Sequence, residues 1–139
     1  MSGTAADLDA ARAELAARCD TIEECYEFML AYAAQGLATE GSQIREFLLR
    51  ADAALKGLAD FSTVFIGQGK SESQSPYAAF MAVLRRDAAD SQAAVQLVLA
   101  QSVIGSQLID NLNASIHLRA LLTDLFLFDE VLKAHQRQS

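Results

Sequence analysis

The chain has few of the residues that interrupt helices. Its 139 residues include one proline and seven glycines, the two residue types that most often end helices or mark turns. Alanine, which has the highest helix propensity, occurs 26 times. These proportions predict an all-α protein, and the length fits a single helical domain over residues 1–139.

The chain also has few basic residues. Eleven lysines and arginines stand against eighteen acids, which gives a formal net charge of −7. Nonspecific nucleic-acid binding needs clustered Lys and Arg, and an anionic membrane attracts the same residues. The sequence has no apolar run of the about 18 residues that a membrane span needs, and its first residues lack the pattern of a signal peptide. We therefore expect a cytoplasmic protein with no nucleic-acid and no membrane partner.

Residues that build metal and catalytic sites are scarce. The chain has two histidines, two cysteines and no G-x-S-x-G motif, and no Glu is followed three residues later by His, the pair that di-metal bundles use. Cys19 and Cys25, six positions apart, fall on different faces of a continuous helix. We expect both to be buried as small hydrophobic residues, with a redox or ligand pair as the alternative. The sequence predicts no metal and no cofactor, and we assign no catalytic residue.

The pattern of apolar residues predicts a four-helix bundle built from two helical hairpins, with extra short helices allowed. The first hairpin covers about residues 5–66, a linker rich in Gly, Ser and Gln covers 67–75, and the second hairpin covers about 76–135. Ser75 and Pro76 are a good start signal for the second hairpin, because Ser caps helices and Pro favours their first position.

Individual helix bounds follow from capping signals. We expect a short helix over 5–17, an interruption at 19–21, a second helix over about 22–34 and a third over 43–65. In the helix after Pro76 the pattern places four residues inward and three outward. The inward set is Tyr77, Phe80, Met81 and Leu84, and the outward set is Arg85, Arg86 and Asp87.

The last third of the chain, residues 92–132, contains no proline and one glycine. The pattern does not decide whether residues 76–112 form one helix or two, and Asn113 is a candidate cap for a last helix to about 134. Leu127 and Val131 fall off the main apolar arc of this last helix, so we expect it to be central or covered by a second chain. The predicted arc comprises Leu118, Leu121, Leu122, Leu125, Phe126, Phe128 and Leu132.

A file of polar residues crosses the same segment. If the helix is unbroken, they share an arc of roughly 60° at helical spacing. Three interpretations stay open. The residues could form the solvent-exposed face of an amphipathic helix, a polar contact between helices that fixes register or oligomeric state, or a ligand site. The residues are Ser106, Asp110, Asn113, His117 and Asp124.

One segment resembles a known family. Residues 24–67, ECYEFMLAYAAQGLATEGSQIREFLLRADAALKGLADFSTVFIG, are similar to the first hairpin of cysteine-rich four-helix-bundle proteins, typified by cytosolic copper-storage proteins. The similar features are Cys25-Tyr26, a helix that ends near Gly36 and a second helix that opens around Arg45. That family uses many cysteines inside its bundle, and only Cys25 matches one here. The resemblance implies a bundle scaffold that assembles further, without copper storage.

Three functions are compatible with these features. The first is a non-catalytic bundle that acts through self-assembly or partner binding, as a scaffold, regulator or adaptor, with a homo-oligomer expected and another protein as the alternative partner. The second is a small-molecule-binding or sensor bundle with an interhelical pocket near His117, lined by Met29, Phe47, Phe80 and Met81. The third is an enzyme whose acid or base is Asp110, Asp124 or His117. The lack of a catalytic motif favours the first.

Overall fold

The computed structural model describes residues 5–35, 42–67 and 76–138. The fold class is all-α, as predicted, and no strand occurs in these ranges. The described residues form five helices, one of them short, as the prediction of extra short helices allowed, and the four-helix bundle itself stays a prediction. They are α1 (Ala5–Gln35), α2 (Ser42–Gly67), α3 (Pro76–Leu99), α4 (Ser106–Ala114) and α5 (His117–Gln138).

The first helix is continuous, so the prediction of a break at residues 19–21 is wrong. Thr21 does not cap a second helix, because its Oγ1 donates a hydrogen bond 3.1 Å long to the carbonyl of Ala17, one turn back. No glycine or proline interrupts this segment, and its buried residues keep a regular helical spacing through the predicted break. They are Leu15, Ile22, Cys25, Met29 and Tyr32.

α2 agrees with the helix predicted over residues 43–65, and it lies between α1 and α3. Its inner face is fully buried at Ile44, Leu48, Ala51, Leu55 and Leu58. On its α3 side, Asp52 Oδ1 accepts hydrogen bonds from the Nε2 atoms of Gln92 (3.0 Å) and Gln96 (3.1 Å). Apolar packing is thus joined by a polar link between α2 and α3.

The last third of the chain is not one rod. α3 runs through Asp90 and Ser91 to Leu99, which settles that residues 76–112 form two helices separated by residues 100–105. A second break falls at Ser115 and Ile116, where Ile116 has a φ of 62°. Asn113 lies inside α4, so its expected role as cap of the last helix is wrong. The two breaks let α4 pack against α1 while α5 packs along α3.

Arg45 and Tyr32 hold the first of these breaks in place. Arg45 Nη1 donates to the carbonyl of Leu99 (2.8 Å) and Nη2 to that of Gln101 (2.7 Å). The buried hydroxyl of Tyr32 donates to the carbonyl of Ile104 (2.6 Å). The final carbonyls of a helix have no partner within it, so Arg45 supplies the hydrogen bonds that the end of α3 lacks.

The second break carries backbone strain. A β-branched residue at a φ of 62° is in the left-handed region, which costs about 1–2 kcal/mol relative to an unstrained conformation. Ile116 is exposed, so its side chain gains little from packing. We expect Ile116→Gly to raise the free energy of unfolding by about 1 kcal/mol, measured by urea denaturation.

The control is Val103→Gly, at an equally exposed β-branched residue without a positive φ. At Val103, glycine adds conformational freedom to the unfolded chain and relieves no backbone strain, so the free energy of unfolding should fall by about 0.5–1 kcal/mol. An equal loss of stability at both positions would show that the conformation of Ile116 costs nothing.

Candidate functional site

The break at residue 116 divides the predicted polar file. Ser106, Asp110 and Asn113 lie on α4, whereas His117 and Asp124 lie on α5, so the five residues do not share one helix face. Asp110 and His117 are exposed, and the other three are partly buried. No hydrogen bond or ion pair joins Asp110, His117 and Asp124, all of which are described. These three residues, each considered as the acid or base of an enzyme, therefore do not form a joint site.

Asp124 instead meets Asp87 on α3. Their side chains share a hydrogen bond across the two helices. Two carboxylates cannot hydrogen-bond to each other, so this contact requires a proton on one of them. The expectation that Asp87 points outward is wrong, since it is partly buried against α5.

Burial and the second acid both act on Asp124. Loss of solvent raises the pKa of Asp124 to about 7, and the hydrogen bond and negative charge of Asp87 act in the same direction. The Oδ2 atom of Asp124 is buried without a hydrogen-bond partner, which adds to the cost of a charge at this position. The hydroxyl of Ser91, one turn after Asp87, is also buried without a partner.

A ring contact sets the register of α3 against α5. Phe80 stacks on Phe128, with 6.1 Å between ring centroids and 22° between ring planes. The Asp87–Asp124 contact lies one to two turns away on each helix, so α3 and α5 run antiparallel here. Val83 lies between Phe80 and Asp87 on α3, and Leu127 lies between Asp124 and Phe128 on α5. Val83 and Leu127 therefore each lie within one turn of this ring contact, on two helices that pack together. We call the contact between α3 and α5 the seam.

The outer edge of this seam is apolar. Leu127 is 55% exposed and Val83 is 36% exposed. Val131, one turn after Leu127, is partly buried. At helical spacing Asp124, Leu127 and Val131 share an arc of about 60° on α5. We call Val83, Leu127 and Val131 the seam strip.

The inner face of α5 is mostly as predicted. Leu118, Leu121, Leu122, Leu125 and Phe128 are buried. Phe126 was expected in this set but is 48% exposed, because its direction lies about 40° beyond Leu122, outside the arc of the buried residues. The side chain of Leu132 lies outside the described residues. α5 therefore has a filled inner face and apolar residues on its flanks.

The residues expected to line a ligand pocket are packed against protein. Met29 and Met81 are fully buried in the core. Phe47 stacks on Phe28 at 4.2 Å between centroids and lies under the guanidinium of Arg50, and Phe80 contacts Phe128. His117, which was expected to address the pocket, is exposed.

Both cysteines are free thiols. Burial raises the pKa of Cys25 to about 12, and burial together with Glu23, Asp20 and Asp129 raises that of Cys19 to about 11. The thiolate is the nucleophile and the metal ligand, so both thiols are held in their unreactive form at neutral pH. Cys25 is buried as predicted, whereas Cys19 is only half-buried.

Asp87 is the site residue that sequence reasoning missed. A signal was present, because Asp87 follows the inward-facing Phe80 by seven residues, which is nearly two full turns. The neighbouring Arg85 and Arg86 made the triplet look like a solvated face. Its partner, 37 positions away, could not be identified from spacing on one helix.

Among the described residues, no group of three or more His, Cys, Asp or Glu side chains is placed to hold a metal ion. None of the described helices is long and apolar enough to cross a membrane. The similarity to copper-storage proteins remains a resemblance of residues 24–67. Comparisons with protein-family models, curated proteins and solved structures give no match.

Proposed function

We propose that this protein is non-catalytic and acts through self-assembly, with a second copy covering the seam strip of α3 and α5. It would serve as a scaffold, regulator or adaptor, and a different protein is the other candidate occupant. α4 and α5 together would take the place of the fourth helix of a bundle. The observation that carries the proposal is the exposure of Leu127 and of Val83, each within one turn of the ring contact between α5 and α3.

The composition of the strip supports this proposal. Single exposed apolar residues are common on monomers, whereas an apolar patch that extends over two packed helices is typical of an interaction surface. Two-fold association is the commonest arrangement of soluble oligomers, and it pairs a patch with a copy of itself. Helix faces as regular as those of α3 and α5 can pack in this way without any backbone change.

The alternative of a small-molecule-binding bundle near His117 has less in its favour. Two of its four lining residues are fully buried and the two phenylalanines stack on other rings. His117 and Asp110 are exposed on different helices. No observation on the described residues favours an enzyme that uses these groups.

Replacing Leu127 by Gln tests the assembly proposal. Gln is uncharged and favours helix, so it removes apolar contact area with little effect on α5 itself. We expect the wild-type protein to sediment as an oligomer at micromolar concentrations and Leu127→Gln to weaken association at least about tenfold, equivalent to about 1.4 kcal/mol. The measurement is sedimentation equilibrium over a range of concentrations.

Leu49→Gln is the matched control. Leu49 is 54% exposed, almost the same as Leu127, but it lies on α2, away from the seam. It should leave the association constant unchanged. A wild-type protein that stays monomeric through the micromolar range would overturn self-assembly, and equal effects at the two positions would overturn the choice of surface.

A further inference from the structure

The contact between Asp87 and Asp124 joins two helices through groups of the same charge. Of the titratable groups on α3, α1 and α4, the helices packed against α5, only Asp87 acts on Asp124 within the described chain. Between α1 and α5 the charge interaction lies elsewhere, where Asp129 of α5 acts on the thiol of Cys19 in α1. Asp110, the acid of α4, is exposed.

No described basic side chain neutralises the pair. Lys133, on the same helix as Asp124, binds Asp129 (3.2 Å) and Glu130 (3.9 Å) instead. Arg85, Arg86 and Arg119 are exposed and form no ion pair with either carboxyl. The Ser91 hydroxyl, although close along α3, makes no hydrogen bond to either acid. A single proton is therefore what allows the two acids to stay in contact.

We propose that the docking of α5 on α3 is controlled by this proton. With one proton shared between Asp87 and Asp124, a hydrogen bond joins the helices. When a hydroxide ion or buffer base removes the proton, two carboxylates face each other, repel, and loosen α5 from α3. This inference concerns the fold of one chain and does not depend on self-assembly.

The direction of the pH dependence follows from proton binding. In the folded protein, burial together with the hydrogen bond and charge of Asp87 raises the pKa of Asp124 to about 7, whereas an unfolded aspartate has a pKa of about 3.9. Between these values the folded state holds a proton that the unfolded state has released, so stability falls as pH rises. The loss is complete above the folded pKa and absent below the unfolded one.

Carboxyl ¹³C NMR of the full chain, labelled at aspartate, tests this directly. We expect one carboxyl resonance of the wild-type protein to titrate near pH 7, well above the range of an ordinary aspartate. Asp124→Asn should abolish the high transition. Asp87→Asn should move the transition of Asp124 toward lower pH, because the negative charge of Asp87, which helps to raise the pKa of Asp124, is removed. If no carboxyl resonance titrates near pH 7 in the wild type, the proposal is wrong.

A second measurement reports on the helix contact. The urea midpoint of the wild type should fall between about pH 5 and pH 8, and that of Asp124→Asn should fall much less. Asp90→Asn, at an exposed acid one turn from Asp87, should retain the wild-type profile. Parallel profiles for the wild type and Asp124→Asn would contradict a role for the pair. The same titration in Leu127→Gln checks that assembly does not produce the effect.

Discussion

Leu125→Ala is expected to lower the free energy of unfolding by about 3–4 kcal/mol and the melting temperature by about 10 °C. Leu125 is only 1% exposed, on the inner face of α5. Removing its three outer carbons leaves a cavity in a region where buried neighbours on both sides limit collapse. The measurement is urea denaturation followed by far-ultraviolet circular dichroism.

Leu127→Ala is the control for that experiment, two residues further along the same helix. Its side chain is largely exposed, so the same chemical change should alter the stability of one chain by less than about 0.5 kcal/mol. The comparison is made at protein concentrations low enough that association does not contribute. Equal losses at positions 125 and 127 would mean that α5 does not present these faces as described.

The second large effect is expected at Arg45. Arg45→Met keeps most of the aliphatic stem but removes the donors that reach the carbonyls of Leu99 and Gln101. Hydrogen bonds from a charged donor contribute more than neutral ones, and partial exposure lets water replace some of the loss. We expect a decrease of about 2 kcal/mol in the free energy of unfolding.

Arg45→Lys separates charge from geometry. Lysine keeps the positive charge but lacks the planar fork that donates to two carbonyls at once. It should therefore recover less than half of the stability lost in Arg45→Met. Hydrogen exchange at residues 99–105 should increase in both variants, since these residues are what Arg45 holds. Protection equal to that of the wild type would show that Arg45 does not hold these residues in place.

The buried face of α2 shows what local pattern predicts well. Ile44, Leu48, Ala51, Leu55 and Leu58 follow helical spacing, and all are fully buried. Pro76 likewise begins α3 because its fixed φ fits the first turn of a helix. Spacing and local backbone preference are sufficient for such segments.

The C-terminal third shows where the same reasoning fails. Helical periodicity continues through residues 100–105 and 115–116, so it left the first of the two breaks undecided. It placed the start of the last helix at Asn113 instead of His117. The first is held by Arg45 and Tyr32, which lie more than fifty positions earlier in the chain. The second depends on Ile116 in a conformation that its own preferences oppose. Contacts distant in sequence therefore hold the first break, whereas a backbone conformation that spacing does not reveal marks the second.

In the candidate site, too, the sequence identified some residues and missed others. Asp124, Leu127 and Val131 were identified from their positions around one helix, and the exposure of Leu127 fits that interpretation. The partner of Asp124 was not identified, because Asp87 belongs to another helix and its neighbours in sequence are two arginines. His117 and Asp110 were chosen on the assumption of an unbroken helix, which the break at Ile116 removed.

The amino-acid order alone determined that the chain is helical, which faces of α2 and α5 are apolar, and that no familiar catalytic motif is present. These properties depend on residues within a few turns of one another, where propensity and spacing act directly. Tertiary packing decided where the last third breaks, which acid meets Asp124 and which apolar side chains remain in water. Those outcomes depend on how helices far apart in sequence fit together, and the energy of such contacts has no local signature.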